Sequence, residues 1–390
     1  MMAGTALKFE FATAARIAFG FGGVEEVAPA AAGLGHRALI VTGGSGRYSG
    51  LLAEKLAAQG VSSVTLAVQG EPTVGVIDEG AKKARDASCD LVVAVGGGSV
   101  IDTGKAVAAM ITNRGELLDY LEVVGRGRSL TARPVPCIAV PTTAGTGAEV
   151  TRNSVIGVPE QRVKVSLRSP LMLPVLAVVD PGLTLTLPAP VTAATGLDAL
   201  TQLVEAFVSG RANPLTDGIC REGIMRVGRS LRPACLDGSD RRAREDMALA
   251  GLFGGLALAN AGLGAVHGLA GPLGGTTGGA HGAFCARLLP FVMEANLRAL
   301  EKRAPQSQAL ARYAEVAGLV TDSPRAKAEA GIEWVRELCR ELAVPGLEEL
   351  GLKKSELAEV AAMSLRASSM KGNPVELTEK EILEILRKGL

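Results

Sequence analysis

Asp198 and Gln202 stand four residues apart in the stretch Thr195–Glu205, T-G-L-D-A-L-T-Q-L-V-E, one turn up the same face of a predicted helix. A carboxylate in a segment otherwise built of Leu, Ala and Val is costly to bury unless something positive sits on it. The chain has only 3 histidines. Two of them, His267 and His281, bracket a Gly-rich run, H-G-L-A-G-P-L-G-G-T-T-G-G-A-H-G. One carboxylate, two imidazoles and a side-chain amide suit a divalent metal of borderline character. Singly, each residue has a plainer reading: the Asp as a first-turn helix charge, the His as a satisfied core or surface residue. Only the set points to a metal.

A second constellation would handle phosphate. Gly96-Gly97-Gly98-Ser99 falls directly after a buried strand and before a helix, where backbone N–H groups can close on a pyrophosphate and the helix N-terminus favours its charge. A tight β–α turn that binds nothing is the alternative, but three adjacent glycines are more than a turn needs. The run is neither G-x-G-x-x-G nor a P-loop. The loop Pro141–Thr151, P-T-T-A-G-T-G-A-E-V-T, follows the next strand. Its Thr142, Thr143 and Thr146 hydroxyls could hold ribose or phosphate oxygens, or merely cap their own turn.

The elements that must position these groups alternate. Strands are predicted at 37–42, 63–68, 90–95 and 137–140, with helices at 24–32, 51–59, 76–87 and 100–111 between them, a pattern that implies a parallel, right-handed, doubly wound sheet. Short β-rich pieces follow at 153–157, 163–167 and 176–179. After Asp180-Pro181 the β-branched runs stop, and segments 191–209, 217–231, 241–260, 283–299, 306–317, 324–342 and 354–369 carry helical period. A boundary near residue 185 therefore separates an α/β unit, 1–185, from an all-helical unit, 186–390. The basic segment Arg126–Arg133 reads as a solvated connection.

Composition excludes several function classes. Lys plus Arg is 41 against 40 for Asp plus Glu, so no bulk charge points to nucleic acid or anionic lipid. Aromatics at 3% remove base-stacking platforms. Cys89, Cys137, Cys220, Cys235, Cys285 and Cys339 contain no C-x-x-C pair and read as buried small hydrophobes of a reducing compartment. The N-terminus lacks a basic region leading into an apolar one, and no apolar run approaches membrane-spanning length, so a cytoplasmic protein is expected.

G-G-G-S-V-I-D-T-G-K (96–105), P-T-T-A-G-T-G-A-E-V-T (141–151), D-P-G-L-T-L-T-L-P (180–188), A-T-G-L-D-A-L-T (194–201), N-A-G-L-G-A-V-H-G-L-A (260–270) and G-N-P-V-E-L-T (372–378) occur in this order. Together they resemble the iron-containing, or group III, metal-dependent alcohol dehydrogenases along essentially the whole chain. The resemblance implies a dehydroquinate-synthase-like architecture: an N-terminal α/β dinucleotide-binding domain, an all-α C-terminal domain, and a cleft between them for cofactor, metal and substrate. By the same resemblance Gly97, Gly98 and Ser99 hold the pyrophosphate and Asp102 belongs to that turn. Thr142, Thr143 and Thr146 line the adenosine and ribose side, and Lys164 reaches the cofactor from the β-rich piece. Asp198, Gln202, His267 and His281 fall on the family's ligand positions for one divalent ion, iron(II) or zinc.

Two departures matter. Family members that prefer NAD carry Asp after the first strand, where this chain reads I-V-T-G-G-S-G-R. With that carboxylate absent, Gly43, Ser45 and Arg47 could receive a 2′-phosphate, which tips the expectation toward NADP over NAD. Gln202 stands where a His is usual and offers a weaker neutral oxygen, while Gly271 replaces a His found near the substrate in many members. The implied reaction is reversible hydride transfer between an alcohol and an aldehyde or ketone, in a homodimer or higher homo-oligomer. A maleylacetate-reductase-like enzyme working without metal, a dehydroquinate-synthase-like lyase and a nucleotide-binding protein without chemistry are the rivals. The lyase is disfavoured because no basic cluster appears in 240–290.

Overall fold

The computed structural model describes residues 7–161 and 163–390. Its N-terminal part is built on a six-stranded parallel sheet in the order β1-β8-β5-β4-β2-β3, with β1 Ile17–Phe19, β2 Arg37–Gly43, β3 Ser62–Val68, β4 Leu91–Gly96, β5 Cys137–Pro141 and β8 Leu176–Val179. Apolar runs form the central strands because helices cover both faces; β4, L-V-V-A-V-G, is buried at every residue. The helices are α1 Val27–Ala32, α2 Ser49–Ala58, α3 Val74–Asp86 and α4 Gly98–Thr112. An antiparallel hairpin, β6 Asn153–Val158 and β7 Val163–Arg168, stands apart from the sheet. Arg126–Arg133 has neither helix nor strand.

From Ala189 onward the described chain is helical: α5 Ala189–Val208, α6 Pro214–Leu236, α7 Arg241–Ala261, α8 Ala265–Thr277, α9 His281–Arg303, α10 Gln308–Thr321, α11 Ala328–Glu341, α12 Leu357–Leu365 and α13 Glu379–Gly389. The largest hydrophobic cluster lies here, centred on α5 and α9 through Leu200, Phe207, Phe284 and Leu288. Among the described residues no single helix is long and apolar enough to cross a membrane.

Three elements differ from the sequence expectation. The Gly-rich run after His267 is a helix, α8, set at 101° to α7. Its glycines lower intrinsic propensity, but Gly268 and Gly274 let Met370 and Lys164 approach to where a Cβ would clash, at 2.3 and 2.9 Å, so packing overrides propensity. The C-terminal α13 was not expected, although Thr378 and Glu381 form a capping box at its start. The expected helix 354–369 is α12 alone, flanked by 3₁₀ turns at Lys354–Glu356 and Ser368–Gly372.

Candidate metal and nucleotide site

Asp198 lies mid-way along α5 and is buried. The break between α7 and α8 turns the first turn of α8 toward it and delivers His267, while α9 begins at His281. Asp198, His267, His281 and Cys285 each offer one ligand atom, all within 4.8 Å of one another. His267 Nε2 is 3.4 Å from Asp198 Oδ1. Asp198 Oδ1 is buried with no hydrogen-bond partner, a costly state for a carboxylate unless a cation meets it. Carboxylate, imidazole and thiol are also the donor types that zinc and iron(II) take. These residues fit a divalent ion.

Gln202 behaves differently from the expectation. Its Nε2 lies 3.3 Å from Asp198 Oδ2, so in this arrangement it donates to the carboxylate rather than presenting an oxygen beside it.

Two residues that the motifs did not assign hold the cluster in place. Glu205, one further turn along α5, accepts from Val266 N–H at 2.6 Å and lies 2.7 Å from His267 Nδ1. That contact places the Nδ1 proton toward Glu205 and leaves Nε2 free to face Asp198. Asn373, inside G-N-P-V-E-L-T, accepts from Ala265 N–H at 3.1 Å and so satisfies a free donor at the start of α8. The Glu205 signal was available, since 198, 202 and 205 share one helical face. Cys285 is likewise one turn beyond His281.

Burial alone would raise the Asp198 carboxyl, but the His267 hydrogen bond and the His281 charge hold it below the usual range. Burial works against a charged His267, yet Cys285, Asp198 and Glu205 together carry its pKa well above ordinary imidazole. His281 is pushed down, chiefly by burial. Burial pushes the Cys285 thiol up to about 12.

On the nucleotide side the two expected loops meet. Thr142 N–H bonds Gly96 C=O at 2.9 Å. A Cβ on Gly98 would lie 2.7 Å from the Thr146 side chain, and one on Gly96 would lie 2.6 Å from Val100. Those two glycines are required by the protein's own packing. Gly97 is different, because a Cβ there meets nothing nearer than Thr143 at 3.5 Å. Gly97, Gly98 and Ser99 are partly exposed, and no side chain caps α4, so its first N–H groups face outward as an anion site requires.

Other expected cofactor residues point elsewhere. Asp102 accepts from Val155 N–H at 2.9 Å and pairs with Lys105 at 2.9 Å. Lys105, almost fully buried, also donates to Ala148 C=O at 2.8 Å and Thr151 Oγ1 at 2.9 Å. This pair ties α4 to the threonine loop and to β6. Lys164 has a buried Nζ that makes no hydrogen bond but pairs with the Glu71 carboxylate at 3.4 Å; it lies against Gly274 of α8. Gly43, with open space around it, is the last residue of β2 and exposed Ser45 lies just past it, while Arg47 donates to Thr186 Oγ1.

The threonine loop and the metal helices are in backbone contact. A Cβ on Gly147 would fall 2.3 Å from Gly255 Cα, one on Gly251 would fall 2.9 Å from Gly145 N, and one on Gly145 would fall 2.7 Å from Thr195 Cβ. Thr195 is one turn before Asp198. The phosphate-side loop thus ends one helical turn from the metal cluster.

Comparison with known proteins agrees along the whole length. Residues 14–181 match the family model for iron-containing alcohol dehydrogenase, and residues 192–390 match that for the Fe-containing alcohol dehydrogenase family, C-terminal. Alcohol dehydrogenase 4 of Saccharomyces cerevisiae is 36% identical over 383 residues, 95% of this chain and 96% of its own. The 1,3-propanediol dehydrogenase of Citrobacter freundii is 39% identical over 325 residues, 83% of this chain and 81% of its own. The crystal structure of a 1,3-propanediol oxidoreductase superposes with a TM-score of 0.90 at 34% identity, covering 98% of this chain and 100% of that one.

Proposed function

The chain belongs to the iron-containing alcohol dehydrogenase family, and from that premise we propose a division of labour among its own residues. The protein is an oxidoreductase that interconverts a small alcohol and its aldehyde or ketone by hydride exchange with NAD(P), aided by an iron-type divalent metal. Asp198, His267 and His281 would hold that ion, which supplies Lewis-acid polarisation of the substrate oxygen when bound. Glu205 fixes the tautomer and rotation of His267. Gly97, Gly98 and Ser99 receive the pyrophosphate at the head of α4, and Thr142, Thr143 and Thr146 line the adenosine and ribose side from the facing loop. The tight contact of that loop with α5 and α7 sets the distance over which the hydride travels, and the buried surroundings exclude water from the transfer.

The observation that carries this reading is the buried convergence of Asp198, His267 and His281, with Asp198 Oδ1 3.4 Å from His267 Nε2 and holding no hydrogen bond. The decisive experiment strips metal from the purified protein with a chelator and follows nicotinamide absorbance against a panel of alcohols and aldehydes. Activity should vanish and return on adding back iron(II) or zinc. Full activity without detectable metal would refute the reading and revive the less favoured metal-free alternative.

Four finer assignments go with it. NADP(H) is used at least as well as NAD(H), supported by the missing Asp at Gly43 and the open space beside it. Six unpaired thiols favour a reducing, cytoplasmic setting. The division near residue 185 into nucleotide and metal domains, and a homo-oligomeric assembly, are supported by the likeness to the family; proteolysis and light scattering test them.

A further inference from the structure

The ligand set built from the motifs lacks a strong fourth donor, because Gln202 turns its amide nitrogen toward Asp198. An NH2 group carries no lone pair for a cation. Rotating the amide would bring Oε1 against the carboxylate oxygen and forfeit that hydrogen bond. Cys285 stands where Gln202 does not reach. Its Sγ is 3.6 Å from His281 Nε2 and 3.9 Å from His267 Nε2, and it is wholly enclosed. It shares α9 with His281, four residues on, so one helical face delivers both groups.

All four ligand atoms lie within 4.8 Å of one another, and three of the six separations are close to those of a ligand polyhedron. With bonds of about 2.0–2.1 Å to nitrogen and oxygen and about 2.3 Å to sulfur, a tetrahedral ion holds its ligands about 3.4 Å (N···O) and about 3.6 Å (N···S) apart. The observed separations are 3.4 Å for His267 Nε2 to Asp198 Oδ1, and 3.6 and 3.9 Å for the two N···S pairs. Weak thiol hydrogen bonds to the two imidazoles account for part of the arrangement, but they leave Asp198 Oδ1 buried without a hydrogen bond, with His267 Nε2 3.4 Å away.

We propose that Cys285 is the fourth protein ligand of the metal, completing an Asp198–His267–His281–Cys285 set that admits the substrate oxygen as a fifth neighbour, and shifting the site's preference from iron(II) toward zinc. The inference rests on the metal-centre reading given above. The metal–sulfur bond forms as the thiol proton leaves to solvent, so the thiolate and Asp198 together neutralise a divalent charge. A softer donor in place of an amide oxygen raises affinity for zinc, which takes thiolate more readily than harder ions do. The other five cysteines belong to no such group among the described residues, so a sulfur signal has one source.

The test uses the full-length protein reloaded with cobalt(II) or zinc. Cobalt-loaded wild type should show ligand-field bands in the visible together with a sulfur-to-metal charge-transfer band in the near ultraviolet. C285S should keep the ligand-field bands, lose the charge-transfer band, and bind zinc about 100-fold or more weakly, since even partners outside the ligand set cost about 10–100-fold. X-ray absorption of zinc-loaded wild type should show one sulfur neighbour at about 2.3 Å, a readout that needs no variant to fold. Ligand-field bands without a sulfur signal, or a signal that survives in C285S, would overturn the Cys285 assignment while leaving the metal centre standing. A wild type that takes up neither ion would overturn both.

Discussion

The carboxylate of Glu205 spans two donors at the start of α8, the backbone N–H of Val266 at 2.6 Å and the Nδ1 of His267 at 2.7 Å. One side chain therefore fixes both the position of that helix and the face its histidine presents. In Glu205→Gln the amide NH2 would meet Nδ1, forcing the proton onto Nε2, where it blocks coordination. Metal affinity should fall about 10–100-fold with circular dichroism unchanged, measured by chelator competition. Unaltered affinity would show that His267 needs no such support.

Removing an imidazole should be harsher. His281→Ala leaves His267 as the one remaining nitrogen ligand, and kcat should fall by about 100-fold or more, with the metal content of purified protein falling in parallel. Gln202→His should tighten metal binding, imidazole being a stronger donor than an amide. Equal affinity in that variant would place position 202 beyond reach of the ion.

The glycine turn allows a cleaner separation. Gly96 and Gly98 cannot accept a Cβ because Val100 and Thr146 occupy its place, whereas Gly97 can. Gly97→Val should therefore fold with an unchanged melting temperature, yet lose nicotinamide-cofactor binding in a fluorescence titration. Intact affinity would move the pyrophosphate elsewhere.

Cofactor choice has its own test. A side chain at Gly43 meets nothing within 4 Å, so Gly43→Asp should fold normally and repel a 2′-phosphate. The ratio of kcat/KM for NADPH to that for NADH should drop at least about tenfold, by the like-charge penalty at such sites. A wild type that rejects NADPH outright would sink the assignment.

Glu149 gives a pH-dependent prediction. Burial pushes its carboxyl from 4.5 to about 7, against the opposing pull of the Lys105 charge. Between those values the folded protein retains a proton that the unfolded chain has released, so stability declines as pH rises through that window. Below it both states are protonated and nothing is lost. Glu149→Gln is neutral at every pH, so it should melt at the wild-type temperature near pH 4.5. At pH 8 it should be stabilised by up to about 3 kcal/mol, from the size of the shift. Equal melting at both pH values would mean that Glu149 ionises freely.

The sequence made the parallel sheet legible because doubly covered strands are written as uninterrupted apolar runs, as in 91–96. It made the glycine turn before α4 legible too, though for a partly different reason: two of the three glycines serve packing, and Gly97 alone has room for a Cβ. The α8 helix was hidden because its glycines lower propensity while its stability comes from Glu205, Asn373 and Met370, partners distant in sequence. The C-terminal α13, by contrast, carried its T-x-x-E signature openly. Cys285 stood one turn beyond His281 in the sequence, but only the fold shows which thiol among six lies beside two imidazoles.

Where Gly145 and Gly147 press on Gly251 and Gly255, the threonine loop and α7 touch through main chain with no side chain between them to compress or swing aside. Such a joint transmits displacement without slack. Chimeras that exchange nucleotide and metal halves between relatives should work only when these small residues travel together. One added methyl would lengthen the reach from nicotinamide to alcohol and lower turnover without altering any residue that touches either.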